Sequence, residues 1–324
     1  PVVVLASSGT GAMECGLTCV CSPDDKVITV EGGKFGQRWG QIADAYGMNV
    51  VREEIEWGSS VKPERVKELL DQNPDAKAVC ITQCETSTGV LTDVKAIADV
   101  VSKTDALLLV DAVSSLGAEE MRTDDWNVDM VVTGSQKAIM LPPGLAFLSV
   151  SERAQKRAEE TKSPNYYLSL KTYLASLKKS STPYTPAVSL IMALDKALEM
   201  IKEEGLENIW ARHAKLSGAV QAGCKALGLE IFAQSPSHVV TPVKVPEGID
   251  GAALPKILRD ELNVTIAGGQ AHLKGKIFRI ATLGYASEFD VTTGVCALEI
   301  ALKKLGYKFE EGAGIKAALK ALSE

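Results

Sequence analysis

No stretch of the chain stays apolar for the roughly 18 residues that a membrane-spanning helix requires. The opening Pro1-Val2-Val3-Val4-Leu5 also lacks the charged leader and cleavage site of a secretory signal, so a cytoplasmic location with no membrane partner is expected. Basic runs are missing too. The 35 Lys and Arg stand against 41 Asp and Glu, and a formal charge of −6 offers no cationic field to nucleic acid. The seven cysteines are an odd number without regular spacing, which argues against a disulfide framework and against paired zinc or iron–sulfur ligands. Residues 11–22 read as a helix on which Cys15 and Cys19 share a face and Cys21 points elsewhere; small buried hydrophobes are expected there. His213, His238 and His272 are scattered and suit structural or surface roles. There is no internal repeat, low-complexity tract or long linker.

What is present is an ordinary globular composition. With 324 residues, 46% hydrophobic and 23% charged, the chain can bury a sizeable core and fill about two domains. Short β-branched runs alternate with helical patterns: Val2–Leu5, Val27–Glu31, Val50–Glu54, Ala78–Thr82, Ala106–Asp111, Met130–Thr133 and Ala146–Val150 read as strands. Amphipathic segments such as Glu64–Leu70 and Val94–Val101 lie between them. The alternation predicts an α/β domain around a mostly parallel seven-stranded sheet, with a pocket beyond the carboxyl ends of its strands. After about residue 150 helices dominate, at Tyr167–Leu177 and from Val188 to about Glu203, where Leu190, Ile191, Leu194, Leu198 and Ile201 form one apolar stripe ended by Gly205. A smaller α+β unit is expected beyond, with strands near Leu229–Phe232, Val239–Val245, Val264–Ala267 and Ile277–Ala281, and helices at Ala252–Glu261 and Phe289–Lys304. The expected division is 1–204 and 205–324.

Four segments carry candidate chemistry, each at a strand end or turn. Ser7-Ser8-Gly9-Thr10-Gly11-Ala12-Met13-Glu14 follows a strand and opens a helix. Its small residues could let backbone amides approach an anion, or it could be a tight turn with a Ser or Thr cap. It is neither a dinucleotide fingerprint nor a P-loop. Glu85-Thr86-Ser87-Thr88-Gly89-Val90-Leu91 could bond a ligand or, as the residues alone favour, cap the next helix through Thr92. Asp111 ends a buried strand, where a carboxylate is costly unless something cationic meets it. Thr133-Gly134-Ser135-Gln136-Lys137-Ala138, followed by Pro142-Pro143-Gly144, brings a lysine to the same sheet edge. A lysine in a desolvated pocket loses its proton more easily and becomes a carbonyl nucleophile.

Together with Gly33-Lys34-Phe35-Gly36-Gln37-Arg38 and Phe278-Arg279-Ile280, these segments resemble the class V aminotransferases of fold type I. The resemblance spans essentially the whole chain and is strongest to the alanine–glyoxylate and serine–pyruvate (serine–glyoxylate) group. It implies the pyridoxal-phosphate transferase fold, with a large cofactor-binding domain and a smaller C-terminal one. It also implies pyridoxal 5'-phosphate held as a Schiff base on Lys137, whose amine then shuttles a proton at the substrate Cα. Asp111 matches the partner of the pyridinium nitrogen, Phe35 the aromatic on the ring (Trp in many relatives) and Thr86 the hydroxyl near O3′. Gly9, Thr10 and Gln136 match phosphate positions, and Arg279 the arginine for the α-carboxylate. Small amino acids and 2-oxo acids are the implied substrates, and a homodimer with shared active sites the implied assembly. Tyr184 and Thr185, in Thr182-Pro183-Tyr184-Thr185-Pro186, match a region that reaches the phosphate of the second subunit.

Relatives carry several dozen residues before the glycine-rich turn, including an arm to the partner subunit, so the chain is either a piece of a longer protein or one without the arm. Alternative activities are an aspartate aminotransferase or a cysteine desulfurase-like lyase. The latter is disfavoured by Gln136 and Phe35 where histidines are expected, and by Cys296 within an apolar helix. From a different class comes a non-catalytic subunit of a redox complex, since some relatives are labelled as a soluble hydrogenase subunit.

Overall fold

A computed structural model describes all residues from Pro1 to Glu324. Its strands are β1 (Val2–Leu5), β2 (Lys26–Glu31), β3 (Asn49–Glu54), β4 (Ala78–Thr82), β5 (Cys84–Glu85), β6 (Val90–Leu91), β7 (Leu107–Asp111), β8 (Met130–Gly134), β9 (Ala146–Val150), β10 (Val240–Lys244), β11 (Ala267–Gly268) and β12 (Ile277–Ala281). Its helices are α1 (Gly9–Val20), α2 (Lys34–Ala45), α3 (Pro63–Gln72), α4 (Val94–Val101), α5 (Glu152–Glu160), α6 (Leu170–Leu177), α7 (Val188–Glu204), α8 (Leu206–Ala226), α9 (Leu254–Leu262), α10 (Glu288–Lys304) and α11 (Ala313–Ser323).

Seven strands form the large sheet in the order β1-β9-β8-β7-β4-β2-β3. Only β9 runs against its neighbours, pairing antiparallel with both β1 and β8. β4 and β7 are buried at every position, because both faces are covered. The period-two alternation of a strand sorts their side chains. Leu107 and Leu109 point into the apolar layer with α1 and α2, whereas Leu108 and Val110 point into the layer with α3 and α4. A smaller sheet, β10-β12-β11, packs with α8, α9, α10 and α11 around Phe278 and Val243. The strand expected at Leu229–Phe232 is absent; only Ile231 bridges to Val243. β11 is shorter than the expected Val264–Ala267 strand and begins at its last residue.

Four helices were not anticipated: α2, α5, α8 and α11. The largest, α8, follows α7 with only Gly205 (φ +84°) between them, so the glycine that ends one helix starts the next. The apolar stripe of α7 is only half used. Leu190, Ile191 and Leu194 pack on Ile139, Leu145 and Phe147, but Leu198 is exposed and Ala197 is the one buried residue of the helix. Buried cysteines are also more than filler: the thiols of Cys15 and Cys19 both donate to the Leu168 carbonyl at 3.2 Å and hold the irregular segment before α6.

Helix α2 sits unusually close to the sheet. A β-carbon at Gly36 would stand 2.5 Å from the Val30 carbonyl oxygen and 3.0 Å from Glu31 Cα, both backbone atoms that cannot swing away. Gly36→Ala should therefore lower unfolding free energy by about 1–3 kcal/mol, as overpacking does. Urea denaturation checks this; an unchanged midpoint would mean that α2 has room to retreat.

Candidate active site

The carboxyl ends of β4, β7 and β8 converge on one edge of the large sheet, and chain reversal there places polar residues that the strand interiors exclude. Asp111 is the last residue of β7 and 3% exposed. One side-chain hydrogen bond serves it, from the Val113 amide at 2.8 Å. Burial pushes its carboxyl up to about 7, with Glu85 adding to the rise and Arg38 and Lys137 opposing it. A carboxylate with a single donor and no cation in contact is an environment suited to a cationic partner.

Lys137 follows β8 in the turn to β9. Ser135 stitches that turn: its hydroxyl donates to Pro142 O (2.7 Å) and accepts from the Leu145 amide (3.1 Å), and its carbonyl accepts from the Leu141 amide (3.0 Å). Burial lowers the Lys137 ammonium from its ordinary range, and Arg279 adds to that; Cys84 and Asp111 oppose it. Lys137 shares a cavity of about 760 Å³ with Phe35, Thr86 and Arg279. Four residues from separate parts of the sequence are thus brought together.

Arg279, on β12, is 8% exposed and held by backbone oxygens. Its Nε and Nη2 donate to Gly268 O (3.0 and 2.9 Å), and Nη1 to Thr86 O (2.7 Å). Of the five guanidinium N–H groups, one on each terminal nitrogen is left over. That pair is the match for a carboxylate. The Thr86 hydroxyl shares a 2.6 Å hydrogen bond with Ser114.

At the start of α1 the first helical hydrogen bond is Ala12 N–H to Ser8 O, and the Ser8 side chain makes no cap. The amides before Ala12 therefore face outward from the helix end, as an anion would require. The space there depends on glycine. A β-carbon at Gly9 would lie 2.6 Å from Val113 Cγ2, and one at Gly11 would collide with Ser7 Oγ. Gln136 Oε1 is buried beside Gly134 without a partner. Arg38 donates to the Thr10 hydroxyl (3.0 Å), and its guanidinium carbon lies 5.0 Å from the Phe35 ring centre.

One expectation is corrected. Thr92 does not cap α4; Asp93 does, accepting from the Ala96 amide at 2.9 Å. Tyr184 and Thr185, expected to serve the second subunit, stand apart from Lys137 of their own chain. They sit by Tyr167 and Tyr173, where the Tyr184 and Tyr167 rings stack at 4.8 Å. Cys296 lies within α10, as expected, and is exposed. Sequence reasoning assigned no part to Glu85, which organises the whole edge. Its carboxylate accepts from the Phe35 and Gly36 amides (3.0 and 2.9 Å) and from the Ser87 amide and hydroxyl (3.1 and 2.5 Å). Burial raises its carboxyl and these four donors oppose the rise. The one signal was an acid in a hydroxyl-rich turn, and only the fold reveals that its partner is the start of α2. Ser114 and Arg38 likewise gain their roles only from contacts made in the fold.

A family model described as aminotransferase class V matches residues 1–286. The chain belongs to the class V aminotransferases. The family uses pyridoxal phosphate. Over 99% of this chain and 85% of the relative, it is 44% identical to a protein named soluble hydrogenase, small subunit, from a Synechococcus species. A serine–glyoxylate aminotransferase of Methylorubrum extorquens is 36% identical (100% and 83% covered). An L-aspartate–glyoxylate aminotransferase of Paracoccus denitrificans is also 36% identical (98% and 82% covered). Among solved structures, the ureidoglycine–glyoxylate aminotransferase of Bacillus subtilis superposes with a TM-score of 0.94 at 31% identity (100% and 85% covered). These aminotransferase relatives and the family match make the protein a transaminase acting between an amino acid and a 2-oxo acid, whatever the hydrogenase name records. The residues fit the cofactor. Asp111 awaits a cation, the α1 amides and two crowded glycines leave an anion cradle, and Lys137 stands on the same sheet edge with its ammonium destabilised.

The Asp111 shift carries a signed consequence in cofactor-free protein. A folded pKa raised from about 3.9 to about 7 means that stability is fully present below about pH 4 and lost as pH rises through 7. The unfolding free energy should therefore fall relative to Asp111→Asn between about pH 4 and 8, by up to roughly 1.4 kcal/mol per pH unit. Paired urea titrations across that range check it, and a pH-independent difference would refute the buried, partnerless carboxyl.

Proposed function

We propose that this aminotransferase takes its amino group from serine or alanine and passes it to glyoxylate or pyruvate. The observation that carries the reading is the inventory of cations in the cavity. Arg279 offers two free N–H groups for one carboxylate, and no cation other than Lys137 shares the lining with it. Among the residues of this chain a distal carboxylate would find no further cation, and a buried charge left unpaired costs several kcal/mol. A small uncharged side chain meets no such obstacle, which supports serine or alanine over aspartate.

Pyridoxal phosphate, when bound, supplies the electron sink for cleavage of the Cα–H bond. The residues of the chain do the rest. Lys137 is the covalent anchor, and its amine, more readily neutral because it is buried, takes the proton from the substrate Cα and returns it. Asp111 would hold the proton on the ring nitrogen, Phe35 would cover a ring face and the Thr86 hydroxyl would serve O3′. Gly9, Thr10 and Gln136 would hold the phosphate, and Arg279 would orient the α-carboxylate of the substrate. The reading includes a cytoplasmic homodimer in which Tyr184 and Thr185 reach the phosphate of the second subunit. It also divides the chain at Gly205 into a cofactor-binding unit and a C-terminal unit, supported by their separate apolar clusters.

Lys137→Ala should lose the visible absorbance of lysine-bound cofactor and all measurable turnover, with circular dichroism unchanged; a variant that keeps both would sink the assignment. Serine or alanine with glyoxylate should exceed aspartate with 2-oxoglutarate in kcat/KM by about tenfold or more. Steady-state comparison of the pairs on one cofactor-loaded preparation decides it, and preference for the dicarboxylate pair would overturn the reading.

A further inference from the structure

Gln270 also lines the cavity shared by Lys137 and Arg279. The Gln270 side-chain carbonyl oxygen is shielded from solvent and has no hydrogen-bond partner. A shielded acceptor left unpaired is costly, so an occupant that brings a donor to that place is favoured over one that does not.

Gln270 is also mounted on the substrate arginine. Gly268, whose carbonyl receives two of the Arg279 N–H groups, lies two residues before it. Gly269 between them donates to Ile277 O at 2.9 Å, and a β-carbon there would collide with Leu273 O, so the segment has little freedom. On the other side the Leu273 amide donates to Gln270 O at 2.9 Å, closing a single turn, and the His272 ring packs 4.4 Å from that of Trp57. The backbone that carries Gln270 is therefore fixed relative to the Arg279 guanidinium.

We propose that Gln270 is a specificity-determining residue: its side-chain oxygen accepts a hydrogen bond from the β-hydroxyl of the amino donor, selecting serine-like donors over purely aliphatic ones. The proposal rests on the functional reading above and sharpens it, since Arg279 alone treats serine and alanine alike. Alanine remains a substrate but leaves the acceptor unpaired.

The test compares serine with 2-aminobutyrate, which replaces the hydroxyl by a methyl at nearly constant size, using glyoxylate as acceptor and cofactor-loaded protein. Wild type should favour serine in kcat/KM by about tenfold or more. In Gln270→Leu the ratio should collapse toward one, whatever common change both donors undergo. Gln270→Glu, which keeps an oxygen at that position, should retain most of the preference. A merely structural role would move both donors together and leave the ratio intact. A wild-type ratio near one, or a ratio unmoved in Gln270→Leu, overturns the role of Gln270 while turnover of alanine or serine with glyoxylate keeps the functional reading. A wild type that turns over only the dicarboxylate pair overturns both.

Discussion

One guanidinium ties the C-terminal sheet to the loop after β5. Arg279 belongs to β12, yet it bonds the carbonyl of Thr86 in the loop after β5 and that of Gly268 in β11. Three of its donors are spent on backbone, which removes the rotamer freedom that a long cation would otherwise lose on binding. Its direction is thus fixed before any ligand arrives. Thr86, Phe35 and Lys137 share its cavity because the loop that Arg279 grips lies at the edge where β4, β7 and β8 end.

Two buried carboxylates on that edge show how surroundings assign different work to the same group. Glu85 is met by four donors and holds the start of α2, so its charge is consumed in architecture. Asp111 is met by one, and burial pushes its carboxyl up to about 7, so its charged form is unsatisfied until a cationic ligand meets it. Had both been equally satisfied, the edge would be more stable and less able to hold a cation.

The large sheet was legible because its strands are short apolar runs bounded by turns: β4 and β12 begin and end where the pattern says, as does α4. Not every helix was. In α8 the buried face includes His213 and Ser217 among small residues, so its apolar stripe is weak, and α2 buries Gly36 and Gly40 beside Trp39, Ile42 and Ala43, glycines that by themselves argue against a helix. The candidate residues Lys137, Asp111, Thr86, Phe35 and Arg279 could be picked out by resemblance, and three-dimensional proximity is what brings four of them to one cavity. Glu85, Arg38 and Gln270 were hidden because their meaning lies in a partner tens of residues away or in a missing one.

The reversed direction of β9 bears on the order in which the chain assembles. Because β8 and β9 are antiparallel and consecutive, the turn bearing Lys137 closes a short loop, with Gly134 opposite Ala146. The neighbouring pair of β1 with β9 must instead bring Val2 to Ser149, across nearly half the sequence. Loop-closure entropy and contact order favour the former, so the reactive lysine sits in a locally encoded hairpin that can form while the first strand is still searching for its place.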